Sequence, residues 1–354
     1  MPHALLIREK KPKAGSAPYY PLQLKAVPKP TPGPNEVLVK IEAAGLNHRD
    51  VFIRQNLYPN ISFNAPLLSD GYGKVVEEGP GCTAGLLHKP VLLTPCRGWA
   101  ASPDGPEDWS KFSTMGGTEP HVHLGAAQNY VVVEESEVEE CPEHLTALEG
   151  AAIPSCGLTA WRALIVKSQN AKQGANILIT GIGGGVALQA LQIALELGCN
   201  VYVTSGSTEK ITKATQLGAK GGVLYTKDDW PKKLSQLLPE ERPYLDAVID
   251  GAGGDIVVKV TPILKPGGII SSYGMTLGPL MDWPMQAVLK NIELRGSTLG
   301  SRTEFTDMVK FIGEKKIRPI VSRSVKGLDC VDAIEGLFEE MKAGKQFGKL
   351  VIEV

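Results

Sequence analysis

The most constraining feature of the sequence is a short apolar segment that runs directly into a cluster of glycines. The segment Asn176–Thr180 is rich in β-branched residues and predicts a buried strand. The residues that follow the glycines continue without a breaker to Leu197, which predicts a helix over 184–197 that stops at Gly198. A strand, a glycine-rich turn and a helix N-terminus together form the setting in which backbone N–H groups bind a phosphate.

The spacing of these glycines fits a dinucleotide-binding turn, although its third glycine comes early. Gly181 and Gly183 match the fingerprint, whereas the third position falls at Gly184 or Gly185, with Val186 behind it. The alternative is a tight strand-to-helix turn without a ligand. Because the strand and the helix are both present, we predict that these five residues contact a dinucleotide.

Composition bounds the class of protein. The chain has 354 residues, enough for two domains, and a formal net charge of −1 without a basic stripe, which argues against nucleic-acid binding. No apolar run is long enough to span a bilayer, so we expect no membrane partner. The 6 cysteines are scattered, which favours reduced thiols and a cytoplasmic location.

The pattern of elements changes near residue 150. Residues 1–150 are β-rich, as in the alternating segment Glu36–Ala44, and include a long irregular loop over 97–120 that carries Trp99 and Trp109. Residues 151–300 alternate strands and helices, which predicts an α/β fold with a doubly wound parallel sheet. Residues 301–354 are too few for a core of their own, so we expect them to pack back onto the first domain.

The segment after the second predicted strand indicates which cofactor is bound. An NAD site usually carries an acidic residue about 20 residues past the glycines. Here Ser205, Ser207 and Lys210 could instead donate to a 2′-phosphate, which predicts NADP(H). The alternative is that Ser207 only caps the next helix and Lys210 is solvated, and Glu209 would oppose NADP(H) if it turned toward the ribose.

Several motifs together resemble the medium-chain dehydrogenase/reductase (MDR) superfamily over nearly the whole chain. They are Pro34–Lys40, Ala44–Asp50, Ser69–Val76, Gly157–Trp161, the glycine turn and Gly348–Ile352. The resemblance implies a GroES-like catalytic domain over 1–150, a Rossmann domain over 151–300 and a C-terminal return over 301–354. It also implies a homodimer formed through the strand near 292–300.

The sequence departs from the zinc branch of this superfamily. Zinc alcohol dehydrogenases carry a Cys ligand where this chain has Asn47 and a His–Glu pair where it has Asp70–Gly71. Cys156 lies near the third ligand position, but catalytic zinc needs three protein ligands. The spacings His121-x-His123 and Cys141-x-x-His144 lack a convincing third ligand. We therefore predict no metal.

The zinc-free members that the chain resembles are quinone oxidoreductases and enoyl or enone reductases. They imply an NADPH-dependent enzyme that passes a hydride to an activated double bond or a quinone. The catalytic candidates are Asn47, near the nicotinamide, Tyr58 and Asp50. Tyr58 could donate to a substrate oxygen or be a half-buried packing residue. Asp50 could instead fix the loop through Arg54 or the backbone. The resemblance adds further cofactor contacts at Thr159, Tyr225, Ala252, Gly253, Tyr273, Leu299, Gly300 and Lys349.

Two other functions stay open at this point. One is a zinc-type alcohol dehydrogenase with an unusual ligand set. The other is a protein that binds NADPH but is catalytically silent, or that acts only on one intermediate of a pathway.

Overall fold

The structure, a computed structural model, describes residues 1–11, 15, 17–278 and 280–354. These residues form two compact units, one made of Met1–Ser155 with Ser301–Val354 and the other of Cys156–Gly300. No described helix is long and apolar enough to cross a membrane.

The strands in chain order are β1 His3–Ile7, β2 Leu22–Ala26, β3 Glu36–Gly45, β4 Asp70–Glu78, β5 Pro90–Leu93, β6 Cys96–Arg97, β7 Ser113–Thr114, β8 Tyr130–Glu134, β9 Val138–Glu140, β10 Asn176–Ile179, β11 Asn200–Ser205, β12 Gly221–Leu224, β13 Leu245–Asp250, β14 Leu264–Ser272, β15 Glu293–Gly296, β16 Val321–Lys326 and β17 Lys349–Glu353. The α-helices are α1 His48–Arg54, α2 Ala147–Ala151, α3 Pro154–Trp161, α4 Gly185–Glu196, α5 Thr208–Gln216, α6 Trp230–Ser235, α7 Ile256–Val260, α8 Met285–Leu289, α9 Arg302–Lys315 and α10 Val331–Lys342. A 3₁₀ turn covers Glu135–Glu137, and a π-helical segment covers Arg162–Lys167.

The first unit is built around β3, the longest of its described strands. Its main sheet has the order β16-β17-β3-β4-β5-β9, and β8 also pairs with β3. The inward side chains of β3, such as Val37 and Val39, lie in a core with Val75 and Val131. The antiparallel pairing of β17 with β3 sets Val351 opposite Gly45, which brings the end of the chain beside the end of β3.

The C-terminal residues share a core with the start of the same unit. Leu337 and Phe338 of α10 are fully buried and lie in one cluster with Leu46, Val51 and Ile53. Burying a side chain of this size contributes roughly 1.5–3 kcal/mol. Residues 301–354 therefore gain their stability from packing onto residues of the first 155.

The second unit is a parallel sheet whose described strands have the order β12-β11-β10-β13-β14-β15. Every residue of β10 and β13 is buried, as in sheets with helices on both faces. The strand order reverses between these two strands, and the crevice beyond their carboxyl ends is where such sheets bind ligands. The predicted α/β fold, with a GroES-like domain and a doubly wound parallel sheet, is confirmed.

Several element boundaries differ from those that the sequence predicts. The strand expected over 292–299 ends at Gly296, and Leu299 has a φ of 37°, which is incompatible with an extended strand. The helix expected over 228–238 covers only Trp230–Ser235. Local pattern does not locate ends well, because capping and turn geometry decide where an element stops.

Candidate functional site

The glycine turn lies at the carboxyl end of β10 in the second unit. Gly181 and Gly183 have φ values of 65° and 115°, a region that L side chains rarely adopt. A Cβ atom on Gly183 would also lie only 2.8 Å from Cδ of Lys210. Gly184 is the N-cap of α4, which begins at Gly185, so the first N–H groups of this helix lack partners within it. The turn therefore has the backbone geometry of a phosphate site.

The residues predicted to bind a 2′-phosphate lie together at the end of β11. The Ser207 hydroxyl caps α5 by accepting from Lys210 N–H, and Ser207 N–H donates to Ser205 Oγ at 3.2 Å. The Lys210 side chain runs back over the turn, with Nζ 3.1 Å from the Cβ position of Gly183. Burial lowers the pKa of Lys210. An anion bound beside its ammonium would offset that cost of burial.

Two further side chains bear on the charge of this cluster. The Tyr225 hydroxyl lies 2.8 Å from the Cβ position of Gly206, and its side chain is 50% exposed, so it adds a donor beside the end of β11. The Glu209 carboxylate, which could oppose a phosphate, pairs instead with Lys213 at 2.6 Å on the exposed side of α5. The Glu209 carboxylate is therefore engaged within α5.

A buried Asp–Thr pair, which the sequence analysis missed, joins the ends of β10 and β13. Thr180 Oγ1 donates to Asp250 Oδ1 at 2.7 Å, and Gly253 N–H donates to Asp250 Oδ2 at 2.9 Å. Burial raises the pKa of Asp250. The sequence signal for this pair is an aspartate at the end of an apolar strand, just before Gly251. This pair holds the turn with Ala252 and Gly253, two predicted cofactor contacts, next to the glycine turn.

The other predicted cofactor contacts are spread over both units. Tyr273 N–H donates to Asp250 O at 2.8 Å, and the Tyr273 ring is 2.6 Å from the Cβ position of Gly251. Thr159 is buried on α3, and Leu299 and Gly300 follow β15, all in the second unit. Lys349 begins β17 in the first unit.

In the first unit, Asn47 lies between β3 and α1 and contacts a buried ammonium. Lys349 Nζ donates to Asn47 Oδ1 at 2.7 Å, to Asp70 Oδ2 at 2.8 Å and to Leu46 O at 2.7 Å. Asn47 Nδ2 donates to Ser69 Oγ at 3.4 Å. Lys349 is 3% exposed and Asp70 is 0% exposed, so a cation and an anion pair away from water.

The other oxygen of Asp70 is also engaged. Asp70 Oδ1 accepts from Ser155 N–H at 3.0 Å and from Ser69 Oγ at 3.2 Å, and the two serine hydroxyls are 2.9 Å apart. Sequence reasoning noted Asp70 only as a departure from zinc enzymes and missed its pairing with Lys349. No local sequence signal relates the two residues, because they lie 279 positions apart in the chain.

Asp50 joins Asn47 to its neighbour Arg49. Asp50 Oδ2 accepts from Asn47 N–H at 2.8 Å, and Oδ1 lies 3.3 Å from Arg49 Nη1. Arg54, the other partner considered from the sequence, pairs with Glu335 instead. Burial raises the pKa of Asp50 to about 6, although Arg49 and the Asn47 N–H oppose that rise. Asp50 is therefore held by contacts within the protein.

Tyr58 lies against Arg49. The guanidinium carbon is 4.6 Å from the centre of the Tyr58 ring, and the Tyr58 hydroxyl is 3.4 Å from Thr114 Oγ1. Arg49 Nη1 also donates to the carbonyls of Met115 and Gly116. Burial would raise the pKa of Tyr58, but the Arg49 charge and the hydrogen bonds of Thr114 and Arg49 leave it below its ordinary value. This hydroxyl is a better proton donor than an ordinary tyrosine.

The two tryptophans of the long loop pack within that loop. Trp99 and Trp109 contact the Phe112 ring edge-on, with centroids 5.9 and 5.5 Å away. Trp99 Nε1 donates to Ser102 O at 2.8 Å, whereas Trp109 is 65% exposed. These contacts hold the loop in place.

The other ligand-like spacings do not build a metal site. The rings of His121 and His123 are 6.4 Å apart and perpendicular, and His144 Nε2 contacts Ile317 O. Burial raises the pKa of the Cys141 thiol to about 12, which disfavours the thiolate that a metal binds. Within residues 1–11, 15, 17–278 and 280–354, no three His, Cys, Asp or Glu side chains converge as metal ligands would.

Comparisons with known proteins agree with this architecture. The family model described as alcohol dehydrogenase GroES-like domain matches residues 33–143, and the one described as zinc-binding dehydrogenase matches residues 185–314. The chain is 64% identical over 359 residues to the zinc-type alcohol dehydrogenase-like protein YogA of Leptosphaeria maculans, with 100% of both chains covered. It is 33% identical to the zinc-type alcohol dehydrogenase-like protein C1773.06c of Schizosaccharomyces pombe, with 91% of each covered.

A solved structure supports the same conclusion. The crystal structure of an NAD-dependent alcohol dehydrogenase covers 100% of both chains with a TM-score of 0.85 and 27% identity. The chain therefore belongs to the medium-chain dehydrogenase/reductase superfamily, whose members are oxidoreductases that act on small molecules with a nicotinamide cofactor, NAD or NADP. The glycine turn and the donors at the end of β11 fit such a dinucleotide.

Proposed function

We propose that this protein is a zinc-independent, NADPH-dependent oxidoreductase that transfers a hydride to an activated double bond or a quinone. The observation that carries the proposal is the ammonium of Lys349, which lies between Asn47 and Asp70. The oxygens of both side chains already contact a buried cation, and a metal ion beside it would be repelled in this low-dielectric setting. The residues of this pocket therefore do not fit a catalytic zinc, although relatives are named zinc-type.

The cofactor proposal rests on the hydrogen-bond donors at the end of β11. Lys210, Ser205, Ser207 and Tyr225 supply donors there, and Glu209 pairs with Lys213. A 2′-phosphate forms strong charge-assisted hydrogen bonds with such donors, whereas a ribose 2′-OH calls for an acidic acceptor. A solved relative is named NAD-dependent, so the choice between the two cofactors needs a direct test.

The chain's own residues have distinct roles in the proposed reaction. NADPH supplies the hydride when it is bound. Without a metal to stabilise an alkoxide, the acceptor must itself delocalise negative charge, as enones and quinones do. We propose that the Asn47 amide donates a hydrogen bond to the developing oxyanion and that the Tyr58 hydroxyl supplies the proton that completes the reduction. Asp50 orients Asn47 directly, because it accepts from Asn47 N–H. It orients Tyr58 through Arg49, which contacts Asp50 and lies over the Tyr58 ring.

We also propose a homodimer and a reducing compartment. β15 is the edge strand of the parallel sheet, and Leu294 on it and Leu289 just before it are 40% and 76% exposed. An exposed apolar edge favours pairing with a second copy. The proposal of a reducing compartment rests on the 6 cysteines, which are scattered along the chain.

Light scattering should give a mass of about twice the 37.9 kDa chain. Replacing Leu294 with Lys places a charge on the sheet edge and should shift the mass toward that of the monomer. A wild-type mass equal to one chain would contradict the dimer.

Replacing Lys210 with Met should weaken NADPH binding roughly 10- to 100-fold, since one charge-assisted hydrogen bond to phosphate contributes about 1.5–3 kcal/mol. The affinity for NADH should stay within twofold, because NADH lacks the 2′-phosphate. Both dissociation constants can be measured by nucleotide fluorescence. The matched control is Lys220→Met, an exposed lysine on the same unit. Equal losses of affinity for NADPH and NADH would contradict the assignment of Lys210 to the 2′-phosphate.

The purified protein, after dialysis against a chelator, should oxidise NADPH in the presence of enones or quinones at an unchanged rate. The panel should also contain primary and secondary alcohols with NADP⁺ and NAD⁺. Activity that disappears on chelation and returns with zinc would instead favour a zinc-type alcohol dehydrogenase. Tight NADPH binding without turnover of any acceptor would favour a silent or pathway-specific protein.

Replacing Tyr58 with Phe should lower kcat at least tenfold, because general acid catalysis typically contributes about 10²–10⁴-fold. The wild-type rate should fall as pH rises through the lowered pKa of Tyr58, since the phenolate has no proton to donate. The variant should lack that fall. Tyr20→Phe, which keeps an edge-on ring contact with Phe63, is the matched control. A Tyr58→Phe rate and pH profile equal to wild type would remove Tyr58 from the mechanism.

A further inference from the structure

Lys349 is bound too completely by its own unit to serve as an ordinary cofactor contact. An ammonium has three N–H donors and no acceptor. Leu46 O, Asn47 Oδ1 and Asp70 Oδ2 lie 2.7–2.8 Å from Nζ, which matches one acceptor to each donor. The resemblance to the superfamily implies that Lys349 contacts the cofactor, whereas its geometry points toward Asn47.

The ammonium determines which way the Asn47 amide faces. Because an ammonium only donates, the oxygen of the amide must point to Lys349, and the NH₂ group must point away from it. The opposite orientation would set two donor groups against each other. Asn47 Nδ2 accordingly lies on the side of Ser69 Oγ, at 3.4 Å.

The ammonium is itself held rigidly. Asp70 Oδ2 binds it, and Asp70 Oδ1 is anchored by Ser155 N–H at 3.0 Å. Gly45 leaves the room that the lysine stem needs, since a Cβ there would lie 3.2 Å from Lys349 Cε and 2.3 Å from Ala151 O. Gly45 pairs with Val351 of β17 on one side and with Asp70 of β4 on the other, which brings the strands of the two charged residues together. The lysine therefore has little freedom to leave Asn47.

We propose that Lys349 is a positioning residue that fixes the Asn47 amide so that an N–H of its NH₂ group faces the substrate oxygen. Its buried charge polarises the amide and so strengthens the hydrogen bond that stabilises the oxyanion. The ammonium thus supplies, through Asn47, part of the positive field that a metal supplies in a zinc enzyme. This inference rests on the proposed function, because it assigns a role within the same site.

The test is a double-mutant cycle of Lys349→Met and Asn47→Ala in the full chain. Lys349→Met should lower kcat at least tenfold on the best enone or quinone, while the dissociation constant of NADPH stays within twofold. The double variant should be no slower than Asn47→Ala alone, because Lys349 acts through Asn47. Lys290→Met is the matched control, since that ammonium also donates to backbone carbonyls, those of Thr261 and Pro262, but lies outside the site. It should leave kcat unchanged.

Removing Lys349 alone leaves the buried Asp70 charge without its partner, which could prevent folding. The cycle is therefore repeated with Asp70→Asn/Lys349→Met, which removes both charges together. Additive losses of kcat in the cycle would overturn the proposal. A tenfold weaker affinity for NADPH with an unchanged kcat would also overturn it, because Lys349 would then be a cofactor contact.

A failure of the proposed function is distinguishable from a failure of this inference. If wild type turns over no acceptor, the proposed function fails, and the same cycle is read as shifts of the thermal unfolding midpoint. A midpoint shift in the double variant that is smaller than the sum of the two single-variant shifts supports the contact between Lys349 and Asn47. Additive shifts overturn it.

Discussion

A buried ion pair between Lys349 and Asp70 organises the first unit around its candidate site. Both side chains are almost fully buried, so neither charge is tolerable without the other. Removing one partner of such a pair typically costs about 3–5 kcal/mol, because the remaining charge stays buried. The pair joins the start of β4 to the start of β17, and Asn47, at the end of β3, completes the coordination of the ammonium.

In the second unit, positive charge lies at the glycine turn. Its glycine turn and helix N-terminus leave N–H groups and a partial positive charge at the end of β10, and Lys210 adds a full charge beside them. Burial lowers the pKa of Lys210, and a phosphate bound there, as we propose for NADPH, would offset that cost. The first unit holds its ammonium against oxygens of its own residues, whereas Lys210 lies beside the glycine turn.

The cluster of Arg49, Asp50 and Tyr58 shows how one element can serve both stability and chemistry. Asp50 accepts from the backbone at Asn47, where α1 begins, and pairs with Arg49, which in turn lies on the face of the Tyr58 ring. Burial raises the pKa of Asp50, whereas the cation beside Tyr58 lowers the pKa of that hydroxyl. Carboxyl and phenol are thus brought closer together in acidity than they are in water, in keeping with the proton donation that we propose for Tyr58.

The sequence alone determined the fold class and the place of the dinucleotide turn. Fully buried parallel strands such as β10 appear as continuous apolar runs, and glycines with positive φ stand between a strand and a helix, so both signals are local. The donors at Ser205, Ser207 and Lys210 could also be found, because one turn of chain carries all three. The pairing of Glu209 with Lys213 was available from the same segment, because residues four apart on a helix are neighbours.

Only the tertiary structure decided that the Asn47 side chain contacts Lys349. Lys349 lies 302 residues further along the chain, and nothing in the periodicity of either segment indicates that they meet. The pairing of β17 with β3 brings Lys349 and Asn47 together, and the pairing of β3 with β4 places Asp70 beside the same ammonium. Local pattern is governed by the few residues within a turn or strand, whereas the partner of a buried charge is governed by which strands pair and in what register.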